Sequence, residues 1–109
     1  MQSLHVEQLR GFVAAHPGVL LLDVREPWEV QRARIDLPGA TSLHMPMQQI
    51  PARLAELEPT QPVVCICHHG ARSAQVVAFL QRQGHAQVYN LAGGVDAWST
   101  QVDSAVPRY

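Results

Sequence analysis

The sequence predicts an α/β domain, a largely parallel sheet with helices on both sides. Two observations carry that expectation. The short, continuous apolar runs "VLLLDV" (Val19–Val24) and "PVVCIC" (Pro62–Cys67) read as strands buried on both faces. Segments with apolar residues at helical spacing alternate with such runs, which is the order of a parallel sheet crossed by helices. With 109 residues the chain has room for one domain, spanning 1–109.

The elements follow in order. Val6, Leu9, Phe12 and Val13 share one helical face and predict a helix over about Val6–Ala15, broken by "HPG". "VLLLDV" is the first strand, and "REPWEVQRA" a short helix with Pro27 in its first turn. Pro38–Gly39 makes a turn before a brief strand. In "PMQQIPARLAELEP", Ile50, Leu54 and Leu57 fall on one face, with Pro51 at a helix start. "PVVCIC" predicts a central strand ending at Cys67. Val76, Val77 and Leu80 then mark a helix stopped by Gly84. "AQVYNLAGG" is a strand running into a glycine turn, and "GVDAWSTQV" a short closing helix.

Composition narrows the function. Hydrophobic residues make up 47% and charged residues 16%, with a formal net charge of −1. Nothing in that balance steers the protein to nucleic acid or to an anionic membrane. No window approaches the ~20 apolar residues of a membrane span. The opening "MQSLHVEQLRGFV" has no basic segment followed by a long apolar run, and the two cysteines form no disulfide framework. A cytoplasmic, reduced domain is expected.

The chemistry concentrates in "CHHGARS", Cys67–Ser73, between a strand end and a helix start. A thiol there meets unpaired amide groups and the positive end of a helix dipole, which favour thiolate. Gly70 lets the loop curl so that successive N–H groups converge on one point, and Arg72 adds a fixed positive charge. Two readings stay open on this pattern: a nucleophile in an anion cradle, or a helix start that happens to hold a small buried thiol. Cys65, Cys67, His68 and His69 are each competent zinc ligands. Packed this closely on an extended backbone they close a tetrahedron poorly, so neither a metal nor another cofactor is expected. Cys65 reads as a small core residue. His68 and His69 read as loop walls or surface groups, with a role in tuning the thiolate or meeting substrate left open.

"LLDVREPWE", "LPGATSLHM", "CHHGARS", "LAGGVDAW" and "VPRY" together resemble the single-domain rhodanese-like sulfurtransferases, in that family's order and over nearly the whole chain. The resemblance implies an open, mostly parallel five-stranded sheet flanked by helices on both faces. It implies that Cys67 accepts sulfane sulfur as a persulfide and passes it to a nucleophile. The donor would be a small sulfur compound such as thiosulfate, and the acceptor a thiol or a sulfur-acceptor protein. Where the family carries Gly-His-Ile before the "PGA" turn, this chain has Ala33, Arg34 and Ile35, then Asp36 and Leu37. The path of that turn is the open point.

The same architecture is similar to cysteine-dependent phosphatases and arsenate reductases. Four residues, His68 to Ala71, separate Cys67 from Arg72, one fewer than in those phosphatases. The tighter ring of amides suits one sulfur better than a phosphoryl group, so sulfur transfer is preferred. A non-catalytic, partner-binding module is the third alternative, disfavoured by the intact Cys67, Gly70 and Arg72. The expected persulfide cradle is the amides of His68, His69, Gly70, Ala71, Arg72 and Ser73. Asp23 and Arg25, at the end of a buried strand, need partners. Asp23 is expected to support the loop, by accepting its hydrogen bonds or pairing with Arg72; capping the helix near Pro27 is the alternative. Trp28 and Trp98 are expected to pack helices.

Overall fold

A computed structural model describes all of residues 1–109. Five strands form one sheet: β1 (Gln2–His5), β2 (Leu20–Asp23), β3 (Thr41–His44), β4 (Val63–Ile66) and β5 (Val88–Ala92). Their spatial order is β1-β5-β4-β2-β3, and every pairing is parallel. Four helices cover it: α1 (Val6–Ala15), α2 (Pro27–Arg32), α3 (Ala71–Arg82) and α4 (Gly94–Gln101). No helix is long and apolar enough to cross a membrane.

Side chains alternate across the sheet and so feed two apolar layers. Leu20, Leu22, Val63 and Cys65 face Val76, Val77 and Leu80 of α3. Leu21, Val64 and Ile66 face Leu9 and Val13 of α1 and Val95 and Trp98 of α4. Each such interior leucine is tightly enclosed; truncating Leu80, wholly buried, to alanine would cost about 2–5 kcal/mol. Cys65 lies in the α3 layer with no exposure, the small core residue expected of it.

Two segments depart from the expectation. Gln2–His5 forms an edge strand beside β5, where no strand was expected. Only Leu4 there is even partly covered, so no apolar run marks the strand. The stretch after Pro46 forms no α-helix; it makes two 3₁₀ turns, Met47–Gln49 and Leu54–Glu56. Pro51 lacks the N–H a continuous helix would need, and the chain breaks around it. Ile50 and Leu57 still reach the core.

The altered segment before the "PGA" turn closes the α1–α4 layer, with Ala33 and Ile35 buried there. Arg34 and Asp36 point outward and pair with each other. Trp98 packs as expected. Trp28 does not: it is 56% exposed on the first turn of α2.

Candidate active site

β4 lies between β5 and β2, and its carboxyl end delivers Cys67 to the mouth of the sheet, where α/β folds gather their functional groups. The chain then turns through Gly70 at φ +102°, a left-handed conformation that directs it into α3. The turn brings two amides onto one atom: Gly70 N–H and Ser73 N–H donate to Cys67 Sγ at 3.0 and 3.3 Å. These are two of the expected cradle amides, and Cys67, whose sulfur they meet, is 1% exposed.

α4 clamps the same loop from behind. The amides of Val95 and Asp96 donate to the carbonyls of Cys67 and His68, each at 3.0 Å. That approach requires Gly94, at φ +58°, because a Cβ there would fall 2.3 Å from the Cys67 carbonyl oxygen.

Asn90 on β5, 7% exposed, ties the loop together from below. Its Nδ2 donates to the Gly70 carbonyl at 3.1 Å, and its Oδ1 accepts from the Ser73 hydroxyl at 2.5 Å. A carbonyl can only accept, so the Asn90 amide is oriented by Gly70, and its oxygen is left for Ser73. The single Ser73 proton is then committed to Asn90, and the Ser73 oxygen, 3.2 Å from Cys67 Sγ, receives the thiol proton.

Charged groups line the opposite flank. Arg72 makes a two-pronged pair with Glu29, Nη1 to Oε1 at 2.6 Å and Nη2 to Oε2 at 2.8 Å. Glu29 also accepts from the Glu26 amide at 3.1 Å and from the Tyr109 hydroxyl at 2.9 Å. The bonds from Arg72, working against burial, hold its carboxyl down to about 2, and Glu29 in turn raises Arg72. Burial pushes the Tyr109 phenol up to about 12, so it keeps its proton.

Asp23 pairs with Arg25, not with Arg72 or the loop amides as expected. Arg25 donates through Nε and Nη2 to the Asp23 carboxylate at 2.9 and 2.6 Å, through Nη2 to the Ala33 carbonyl at 2.7 Å, and through Nη1 to the Tyr109 oxygen at 2.8 Å. Asp23 does not cap α2 either; Glu26 stands at that N-cap. The reason is reach. The Arg25 guanidinium, with no exposure, must be neutralised where it is buried, and the carboxylate two residues back is the near one. Burial disfavours the charged Arg25, but its bonds to Asp23 and Tyr109 outweigh that and raise its pKa.

His68 stacks between Tyr109 and His69, ring centroids 3.9 Å from each. Its Nε2 is enclosed with no protein partner, and burial, helped by repulsion from His69, lowers its pKa and keeps the ring neutral near pH 7. His69 is exposed. Donor atoms of His68, His69 and Asp96 lie within 4.8 Å of one another, a grouping that could hold a metal ion; Asp96 is also paired to Arg108 at 3.2 Å. Cys65 and Cys67 take no part in it.

Glu29, Asn90 and Tyr109 were not singled out from sequence. Asn90 carried a signal, a polar residue inside the apolar run "VYNLA". Glu29 stands three residues after Glu26, at the spacing of a reciprocal helix cap. Tyr109 stood in the "VPRY" motif of the resemblance, but its role was not readable there, because its partners lie about eighty residues away.

A parallel α/β sheet with a cysteine in an amide-lined loop past its central strand defines a class of thiol-based proteins. Residues 6–101 match the family described as Rhodanese-like domain, and the chain belongs to that family. It is 42% identical over 99 residues to a protein of Allochromatium vinosum named Sulfurtransferase, covering 91% of this chain and 89% of that one. It is 32% identical over 83 residues to Thiosulfate sulfurtransferase GlpE of Pseudomonas syringae pv. syringae, covering 76% and 74%. The crystal structure of a rhodanese-like domain protein from Staphylococcus aureus superposes with a TM-score of 0.79 at 28% identity, over 100% of this chain and 99% of that one.

Proposed function

We propose that the protein is a sulfurtransferase that carries sulfane sulfur on Cys67. The observation that carries this reading is the convergence of the Gly70 and Ser73 amides on one buried sulfur atom at the helix end. A thiolate of Cys67 attacks the outer sulfur of thiosulfate or of a persulfide donor. The new Sγ–S bond forms as the donor's S–S bond breaks, and sulfite or a thiolate leaves with the bonding pair. The terminal sulfur is anionic, and the loop amides with the N-terminal end of α3 stabilise it. A thiol or an acceptor protein then takes that sulfur and regenerates the Cys67 thiolate.

Ser73 serves both forms of the cysteine. While Cys67 is a thiol, Ser73 accepts its proton and donates to Asn90. Once the thiol ionises, the Ser73 hydroxyl rotates to donate to sulfur, at the cost of its bond to Asn90. His68, His69, Ala71 and Arg72 complete the loop. Arg72 braces it through Glu29, while Asp23 and Arg25 support it from the end of β2.

The commitment of Arg72 to Glu29 also weighs against a phosphatase. A tetrahedral dianion needs a guanidinium free to turn onto it, and here both terminal nitrogens are already engaged. The test is the intact mass of the reduced protein after brief exposure to thiosulfate, beside Cys67→Ser. The expected result is a gain of one sulfur atom, removed by cyanide and absent from the variant. A wild-type protein that gains nothing from thiosulfate or a low-molecular-weight persulfide, yet hydrolyses an aryl phosphate, would overturn the proposal.

A further inference from the structure

We propose that Tyr109 is a positioning residue for sulfur transfer at Cys67, its hydroxyl joining two ion pairs into one chain and its ring covering His68. This rests on the function proposed above.

The hydroxyl does two jobs at once. It accepts from Arg25 Nη1 at 2.8 Å and donates to Glu29 Oε2 at 2.9 Å. A phenol is suited to this place because it offers a donor and an acceptor on one atom at the end of a rigid ring. Through it, Asp23–Arg25 and Glu29–Arg72 become one connected line from the end of β2 to the first turn of α3. Without that oxygen, Arg25 Nη1 keeps only the Glu29 carbonyl at 3.4 Å, a long bond for a fully buried guanidinium.

The ring acts at the loop's other end. It lies flat on His68, the residue after Cys67, with centroids 3.9 Å apart and planes 11° from parallel. Trp28 meets it in a T-shaped contact, ring centroids 5.9 Å apart. Tyr109 therefore grips the loop twice, at His68 by stacking and at Arg72 through Glu29. Cys67 begins the loop, and Ser73, whose amide touches the sulfur, follows Arg72 directly.

The segment that brings Tyr109 back over the mouth is itself tethered. The Ser99 hydroxyl donates to the Val106 carbonyl, and Arg108 Nε pairs with Asp96 at 3.2 Å. Both anchors sit on α4, the helix that clamps Cys67 and His68 from behind. The tail thus belongs mechanically to the loop it covers.

Tyr109→Phe removes the hydroxyl and keeps the stacked ring; Tyr109→Ala removes both. The experiment is single-turnover persulfidation by thiosulfate, read by intact mass, with far-UV circular dichroism confirming folded protein at the assay temperature. His68 is titrated by NMR in the same proteins. For Tyr109→Phe the maximal rate is expected to fall about tenfold, with half-saturating thiosulfate changed less than twofold and the His68 titration still low. For Tyr109→Ala the rate is expected to fall further, and the uncovered His68 to titrate closer to an ordinary imidazole. Wild-type rates in both variants would overturn the proposal, as would a slowing fully matched by loss of folded protein. Should wild-type protein take no sulfur, the function reading fails separately. Iodoacetamide alkylation of Cys67 then decides the positioning role: a severalfold change in the variants supports it, and equal rates overturn it.

Discussion

The two flanks of the Cys67 loop are held by different physics. On the inner flank the partners are backbone amides and carbonyls, one buried amide side chain and two glycines that admit close approach. On the outer flank they are four charged side chains joined through a phenol. The inner flank places dipoles around the sulfur. The outer flank sets where the loop sits on the sheet. Damage to the first should therefore reach the chemistry directly. Loss of a charged partner in the second should reach it through stability, whereas loss of the joining phenol should leave the protein folded and the loop less firmly placed.

The most severe test falls on the inner flank. Gly94→Ala would drive a methyl against the Cys67 carbonyl at a left-handed φ, and a loss of about 4 kcal/mol of stability with no measurable persulfide is expected. Urea denaturation and intact mass together check it. Next, Asp23→Ala strips the Arg25 guanidinium of its carboxylate while leaving it buried, for a loss of about 3 kcal/mol. Persulfidation should decline in step with the folded fraction. An unchanged melting temperature with abolished sulfur transfer would break the division between the flanks.

The smallest effect is a matter of pH. Glu29 has its carboxyl at about 2 in the folded protein against 4.5 unperturbed. A depressed carboxyl contributes stability that is fully present above pH ~4.5 and is lost as pH falls towards 2. Glu29→Gln should thus cost about 2 kcal/mol near neutral pH and flatten the acid limb of the stability curve between those values. Equilibrium unfolding in urea across that range reads both. An acid limb as steep as wild type would assign the loss to other carboxylates.

The inner flank was largely legible in the sequence. A buried-strand pattern ending at Cys67, Gly70 three residues on and an apolar helix after it encode local geometry, and local geometry is what spacing reports. The outer flank was not. Its members sit on β2, α2, α3 and the tail, and which carboxylate meets which guanidinium depends on how those elements pack. Hence Arg72 meets Glu29 instead of Asp23. Trp28 teaches the same limit: a large aromatic in a helix start says nothing about which way it faces, and this one faces outward. The fold was read more completely, save for two segments: the helix expected from Pro51, which is a pair of 3₁₀ turns, and β1, an edge strand whose pairing with β5 does more to define it than its own residues.

Cys65 adds a last consequence. It is one of only two cysteines, stands two residues from Cys67 in the same apolar layer, and burial pushes its thiol far above the ordinary range. A thiol kept protonated and out of reach cannot attack a sulfur parked on its neighbour. Under the proposed transfer, this chain therefore has no internal route for discharging its cargo as a disulfide. The lifetime of the loaded form is set by whatever acceptor arrives from outside, which makes the protein a vessel with a single door.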